Sequence, residues 1–175
     1  MSGTLLRALL PDPGLRLFLV DVGTAVAEAQ HRHMLSPAAT VPLGRALAGA
    51  ALLAWDRKNG VRVTLQFRAE GPLGGLVADA DPVGNLRGYV HHPTLQFPMQ
   101  DVQRLAHAGL GCRGVLHCVR QVDGRQVQGQ VTLATGGIDR DLEVLVQASD
   151  GERCAFGLGV FLASEPTGED PAHHE

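Results

Sequence analysis

With 175 residues, 45% hydrophobic and 19% charged, the chain has the composition of one globular domain, long enough to bury a single core. A net charge of -3, with Lys58 as the only lysine and the arginines scattered, argues against a nucleic-acid partner, whose phosphates call for clustered basic residues. The start "MSGTLLRALL" has no secretory pattern and no apolar run reaches membrane-spanning length. Cys112, Cys118 and Cys154 form the odd, sparse set expected of reduced thiols, so a cytoplasmic protein without a membrane partner is expected.

Two leucine-rich runs, Leu5–Leu10 and Leu15–Val22, flank "PDPG" and read as strands joined by a turn. Thr24 is placed to cap a short helix over Ala25–Met34. A longer helix follows in "SPAATVPLGRALAGAALLAWDRKN", with Ser36 as cap, Pro37 in the first turn and Asn59-Gly60 as the stop. It is apolar nearly all round, which predicts a sandwiched helix. Pro42 inside it should kink it or delay its start.

The period then changes to two. In "VRVTLQFRAE" Val61, Val63, Leu65 and Phe67 share one face, and Arg62, Thr64, Gln66 and Arg68 the other, the pattern of an antiparallel strand with one wet face. "VLHCVRQV" and "RQVQGQVTL" repeat it around Asp123-Gly124, a strong hairpin turn. Val127, Val131 and Leu133 should face inward there. Helices are expected over Asp101–Ala108 and Asp139–Ser149, the latter stopped by Gly151. "CAFGLGVFLA" reads as a last buried strand, and the acidic tail 164–175 as disordered. The fold class is α+β, a mainly antiparallel sheet with a helical layer, in a domain spanning 1–163.

The glycine-dense stretch "GPLGGLVADADPVGNLRGYV" lacks both the dinucleotide and the P-loop spacing. It reads instead as a hairpin of Leu76–Ala78 and Leu86–Val90, with Gly84 at a positive φ and Asp79 and Asp81 as turn residues. Gly74 and Gly75 mark bends or close backbone approaches. The longer run "RVTLQFRAEGPLGGLVADADPVGNLRGYV" closely resembles the N-terminal core of the redox-regulated chaperones of the heat-shock protein 33 family. "SPAATVPLGRALAGAALLA", and "GGIDRDLEVLV" followed by "FGLGVFLA", extend the resemblance in order from about Leu5 to Leu162.

That resemblance implies an ATP-independent holdase, which binds unfolding proteins during oxidative stress. In the family a C-terminal module of four cysteines, spaced Cys-x-Cys and Cys-x-x-Cys, holds zinc and acts as the redox switch. This sequence contains neither spacing, so no zinc ligand carries over and no cofactor is expected. It also has Ser149-Asp150-Gly151 where the family has Ser-Glu-Gln.

No enzyme chemistry emerges: there is no nucleophile elbow, and Cys118 and His117 point to opposite faces of a strand. The three cysteines read as small buried hydrophobes. His31, His33, His91-His92 and His173-His174 show no convergent ligand set. A holdase needs exposed apolar surface, expected here from the helix residues Leu43, Leu47, Leu52 and Trp55 and the late-strand residues Phe156, Leu158, Val160 and Phe161. The partners would be unfolded clients, and a bare strand edge would also admit a homodimer. The alternative function is an interaction or dimerisation module, or an incomplete fragment, acting with a full-length relative.

Overall fold

The computed structural model describes residues 4–11, 14–56, 60–96, 109–122, 124–133 and 135–163. β1 (Thr4–Leu10) and β2 (Leu15–Asp21) form a separate two-stranded antiparallel hairpin. Two helices follow, α1 (Gly23–His33) and α2 (Pro37–Trp55). Next come β3 (Arg62–Ala69), β4 (Leu76–Ala80), β5 (Leu86–Val90), β6 (Gly114–Val122) and β7 (Arg125–Thr132). They build one antiparallel sheet in the order β5-β4-β3-β6-β7. α3 (Ile138–Asp150) closes the regular structure. The α+β class read from the sequence is the observed one.

α2 is the centre of the core. Fifteen of its nineteen residues are buried, between the sheet on one side and the hairpin, α1 and α3 elsewhere. It is the one described helix long and apolar enough to cross a membrane, and that character is explained by its burial on all sides. Val63, Leu65 and Phe67 of β3 and Leu76, Ala78 and Ala80 of β4 face it, and Leu116 and Cys118 of β6 continue the same buried face toward α3. The period-two reading of β3 therefore holds residue by residue.

Ser36 caps α2 as expected, its hydroxyl accepting the Ala39 amide at 3.2 Å, while its own amide donates to Pro93 at 2.8 Å. Pro42 neither ends the helix nor delays it. Its missing donor costs one hydrogen bond at Ala38, and the apolar burial on every side of α2 outweighs that loss. The helix stops at Asp56, before the expected Asn59-Gly60. α1 begins earlier than expected and Thr24 does not cap it; Asp21 accepts the Gly23 amide at 2.8 Å instead.

The glycine stretch is the β4–β5 hairpin. Gly75 has φ +117°, and a Cβ there would lie 2.3 Å from the Phe67 carbonyl oxygen; Gly88 is just as tight, 2.5 Å from that of Val77. Asp81 organises the turn by accepting the amides of Val83 and Asn85 at 3.0 and 2.9 Å. Burial pushes its carboxyl upward, but these bonds and that of the Asn85 side chain hold it below the usual range.

Asp79 corrects the turn reading. β4 runs on to Ala80, and Asp79 is buried on the outer sheet face. There it accepts Arg62 Nη2 at 2.8 Å, Thr64 Oγ1 at 2.6 Å and Arg87 Nε at 3.0 Å. On the inner face Arg120 of β6 points under α3, its Nη1 donating to both carboxylate oxygens of Asp150 at 2.8 Å. α3 ends at Gly151, in the left-handed conformation.

Two further readings need correction. Val127 is exposed, because β7 is an edge strand that α3 covers only in part. The segment "CAFGLGVFLA" is extended but joins no sheet, and most of it is exposed. The helix expected over Asp101–Ala108 and the tail 164–175 lie outside the described residues.

Candidate partner-binding surface

The eight apolar residues expected to form a surface separate into three groups. Leu43 and Leu47 are wholly buried; they lie on the sheet side of α2, against the backbone of Gly88. They cannot meet a partner in this fold, which corrects the sequence reading. Leu52 and Trp55 are half-buried; Leu52 lies toward the β1–β2 hairpin, and Trp55 lies over the β4–β5 turn, donating its indole N–H to the Asp81 carbonyl at 3.0 Å. Of the late segment, Leu158 is buried, Phe156 and Val160 are half-buried, and Phe161 is 92% exposed.

The larger apolar surface is one that the sequence reading did not single out. The register pairs Leu6 with Leu19, Ala8 with Leu17, and Leu10 with Leu15. These six residues share one face of the β1–β2 hairpin, and all are exposed, Leu6, Leu17 and Leu19 at 58%, 57% and 63%. On the opposite face β2 meets the body, with Val20 packed on the core and Arg16 bridging Asp56 at 3.1 Å and Glu152 at 2.6 Å, while Leu9 of β1, opposite Arg16, is itself 68% exposed. The signal was present in "TLLRALL" and "LRLFLVD", where leucines fill odd and even positions alike. A two-stranded ribbon cannot bury both faces, so one apolar face had to remain bare.

Residues 152–163 run as a strap across α2 beside this hairpin. Their burial alternates: Phe156, Leu158, Val160 and Leu162 turn inward, whereas Gly157, Gly159 and Phe161 turn out. The inward residues fit a row of small side chains. A Cβ on Gly44 would come within 2.7 Å of Val160, and one on Gly49 within 3.7 Å of Leu158; Val160 and Leu162 pack on Ala38 and Val41. The spacing matches, since two strand residues advance about 6.7 Å and five helical residues about 7.5 Å.

Two carboxylates of α3 hold the strap's backbone. Glu143 accepts the Phe156 amide at 3.1 Å and Asp139 the Leu158 amide at 2.8 Å. The Arg140 guanidinium first, and then the Phe156 amide, hold the Glu143 carboxyl below the usual range. Between strap and hairpin lies an apolar groove of about 630 Å³ with Phe18, Val20 and Leu52 on its walls. A second groove, of about 560 Å³, lies by Leu15, Leu17 and Phe156.

Titratable groups assemble no catalytic centre among the described residues, and no group of three or more His, Cys, Asp and Glu is placed to hold a metal. All three cysteines are free. Only Cys118 is buried, with burial pushing its thiol up; Cys112 and Cys154 are exposed, against the reading of all three as buried hydrophobes. Partial burial, then Glu143, Glu152, Asp150 and Asp56, push the Cys154 thiol up. His31, His33, His91 and His92 are exposed, His91 stacking on Tyr89 at 5.9 Å. His173 and His174 lie outside the described residues.

Comparison with known proteins decides the family. A family model described as Hsp33 protein matches residues 3–170. The chain belongs to the Hsp33 family. Among curated Hsp33-family relatives, the 33 kDa chaperonin of Synechococcus elongatus is 39% identical over 165 residues, which covers 93% of this chain and 55% of that protein. The 33 kDa chaperonin of Thermus thermophilus is 37% identical over 166 residues, or 93% of this chain and 49% of the other. The crystal structure of the Thermotoga maritima 33 kDa chaperonin (heat shock protein 33 homolog) superposes with a TM-score of 0.77 at 32% identity, covering 90% of this chain and 55% of that one. The chain thus spans about half the length of the Hsp33-family relatives it matches.

Proposed function

We propose that this Hsp33-family chain is a holdase: a chaperone that binds unfolded or partly folded proteins through exposed apolar surface, without ATP. The observation that carries the reading is the bare leucine ladder of Leu6, Ala8, Leu10, Leu15, Leu17 and Leu19 beside two apolar grooves. Such a surface attracts non-native chains because each Å² of apolar area covered is worth about 25 cal/mol. The names of its relatives support the same class. Independence of ATP accords with the glycine-rich stretch serving as a hairpin and not as a phosphate cradle.

Within these 175 residues holding does not depend on a zinc–cysteine switch, because neither cysteine spacing of that switch occurs. No cofactor or catalytic step is assigned, the setting is the reducing cytoplasm, and clients, not nucleic acids or membranes, are the partners. A second reading, an interaction or dimerisation module acting with a full-length relative, is favoured by the uncovered outer edge of β7, where Val127 is exposed; unpaired edges recruit strands.

The test is light scattering of a heat-unfolding client with and without the protein, in reductant and in peroxide. Suppression of aggregation of several unrelated clients under both conditions is expected. Suppression only after oxidation would give Cys112, Cys118 or Cys154 a switching role. None under either condition, from folded protein, would leave the interaction module.

A further inference from the structure

Residues 152–163 are built like a ligand. They are extended, present an apolar side chain at every second position, and make no backbone ladder with any described strand. Among the described residues, their main-chain bonds to the body are the two amides accepted by Glu143 and Asp139. Their apolar anchors are generic, because the helix offers Val160 the space of an absent side chain at Gly44, and Leu158 an ordinary contact over Gly49 beside Leu142, where another protein would offer a shaped pocket. Any extended stretch with small or branched apolar residues at alternate positions would fit the same row and present its amides to the same carboxylates. Apolar grooves continue on the hairpin side, so the seat is wider than its occupant.

We propose that the strap is an internal stand-in for client, occupying a seat on α2 and α3 whose external ligand is an extended apolar segment of a non-native polypeptide. The two compete for the row from Gly49 to Ala38 and for the carboxylates of Asp139 and Glu143. Recognition is by backbone and alternation, so it is tolerant of sequence. The inference rests on the holdase reading only for the class of the external ligand.

A labelled peptide with the strap's own residues 155–162 is the probe, and fluorescence anisotropy the readout. Replacing two of the strap's own anchors, Leu158→Ala with Val160→Ala, loosens the strap while leaving every residue of the seat in place, and should tighten peptide binding about tenfold, roughly the factor for the apolar area withdrawn. A second variant pins the strap: Gly44→Cys with Val160→Cys places two thiols where a Cβ added at Gly44 would lie 2.7 Å from a Val160 methyl. Oxidised, it should lose peptide binding; reductant should restore it. Equal binding by the pinned and reduced forms would overturn the proposal. So would a folded anchor variant that binds no better than the parent. The holdase reading is judged separately by client aggregation: suppression that ignores the pin leaves the holdase standing and removes this seat. Peptide binding that follows the pin without any suppression keeps the seat and removes the holdase.

Discussion

Replacing Leu17 and Leu19 by threonine tests whether the hairpin ladder is the working surface. Threonine is β-branched, which suits a strand, and it removes the apolar bulk. The two leucines are 57% and 63% exposed, together a little more than one fully exposed leucine. Covering a leucine is worth about 1.5–3 kcal/mol. A client that covers both should therefore lose about 2 kcal/mol, roughly thirtyfold in affinity. Their exposure also means that the fold barely depends on them; the thermal midpoint should move by only about 1–2 °C. The assay is the concentration needed to halve client aggregation, with Val127→Thr as control, because Val127 is exposed alone on β7. Unchanged suppression by a folded double variant would refute the assignment of the ladder. A fall in midpoint of about 8 °C or more would show the ladder to be core and refute the burial argument itself.

Gly88→Ala puts a Cβ 2.5 Å from the Val77 carbonyl oxygen. Overpacking against backbone should cost about 1–3 kcal/mol in urea unfolding; a neutral result would contradict the close approach of β5 to β4. The Glu143 clamp should respond to acid. Its folded carboxyl lies below the ordinary 4.5, so its contribution is fully present above that pH and is lost as pH falls through the lower, folded value. The Phe156 amide shift followed by NMR should titrate with a midpoint under 4.5, and a midpoint above it would exclude the clamp. In thiol labelling of native protein at pH 8, Cys112 should react readily, Cys154 more slowly because its thiol is pushed up, and Cys118 only on unfolding. Rapid modification of Cys118 would contradict its burial beneath α2 and α3.

Much of the fold was legible because its signals are local. Alternation in "VRVTLQF", the Ser36-Pro37 start and the Gly151 stop each follow from a few neighbouring residues. The all-round apolar α2 even announced that it would be sandwiched. What escaped depends on partners distant in sequence. Asp79 looks like turn chemistry beside Pro82 and Gly84, and becomes a buried carboxylate only because register brings Arg62, Thr64 and Arg87 around it. Leu43 and Leu47 read no differently from the half-buried Leu52 of the same helix; only the position of β5 puts them wholly inside. The strap has a strand's alternation without a described strand as neighbour, and its bonds go to side chains 13 and 19 residues earlier on a helix. The hairpin ladder could have been read from its doubled leucine pattern, had the limit on what two strands can cover been applied.

Arg120 gives β6 only one acceptable way to lie. It sits inside, opposite Val63, while its neighbour Gln121 sits outside, opposite Arg62. Sliding β6 by a single residue would turn every side chain over. The guanidinium would swing into water, Gln121 would enter beneath α3, and the Arg120–Asp150 bridge would be broken. Leucines alone would penalise such a slip only through packing, which neighbouring leucines can partly repair. A charge with one matching carboxylate admits no such repair, so the alignment of the sheet's central strands, and with it the placement of α3 and the strap that α3 clamps, is fixed by an electrostatic pairing that the core could otherwise have done without.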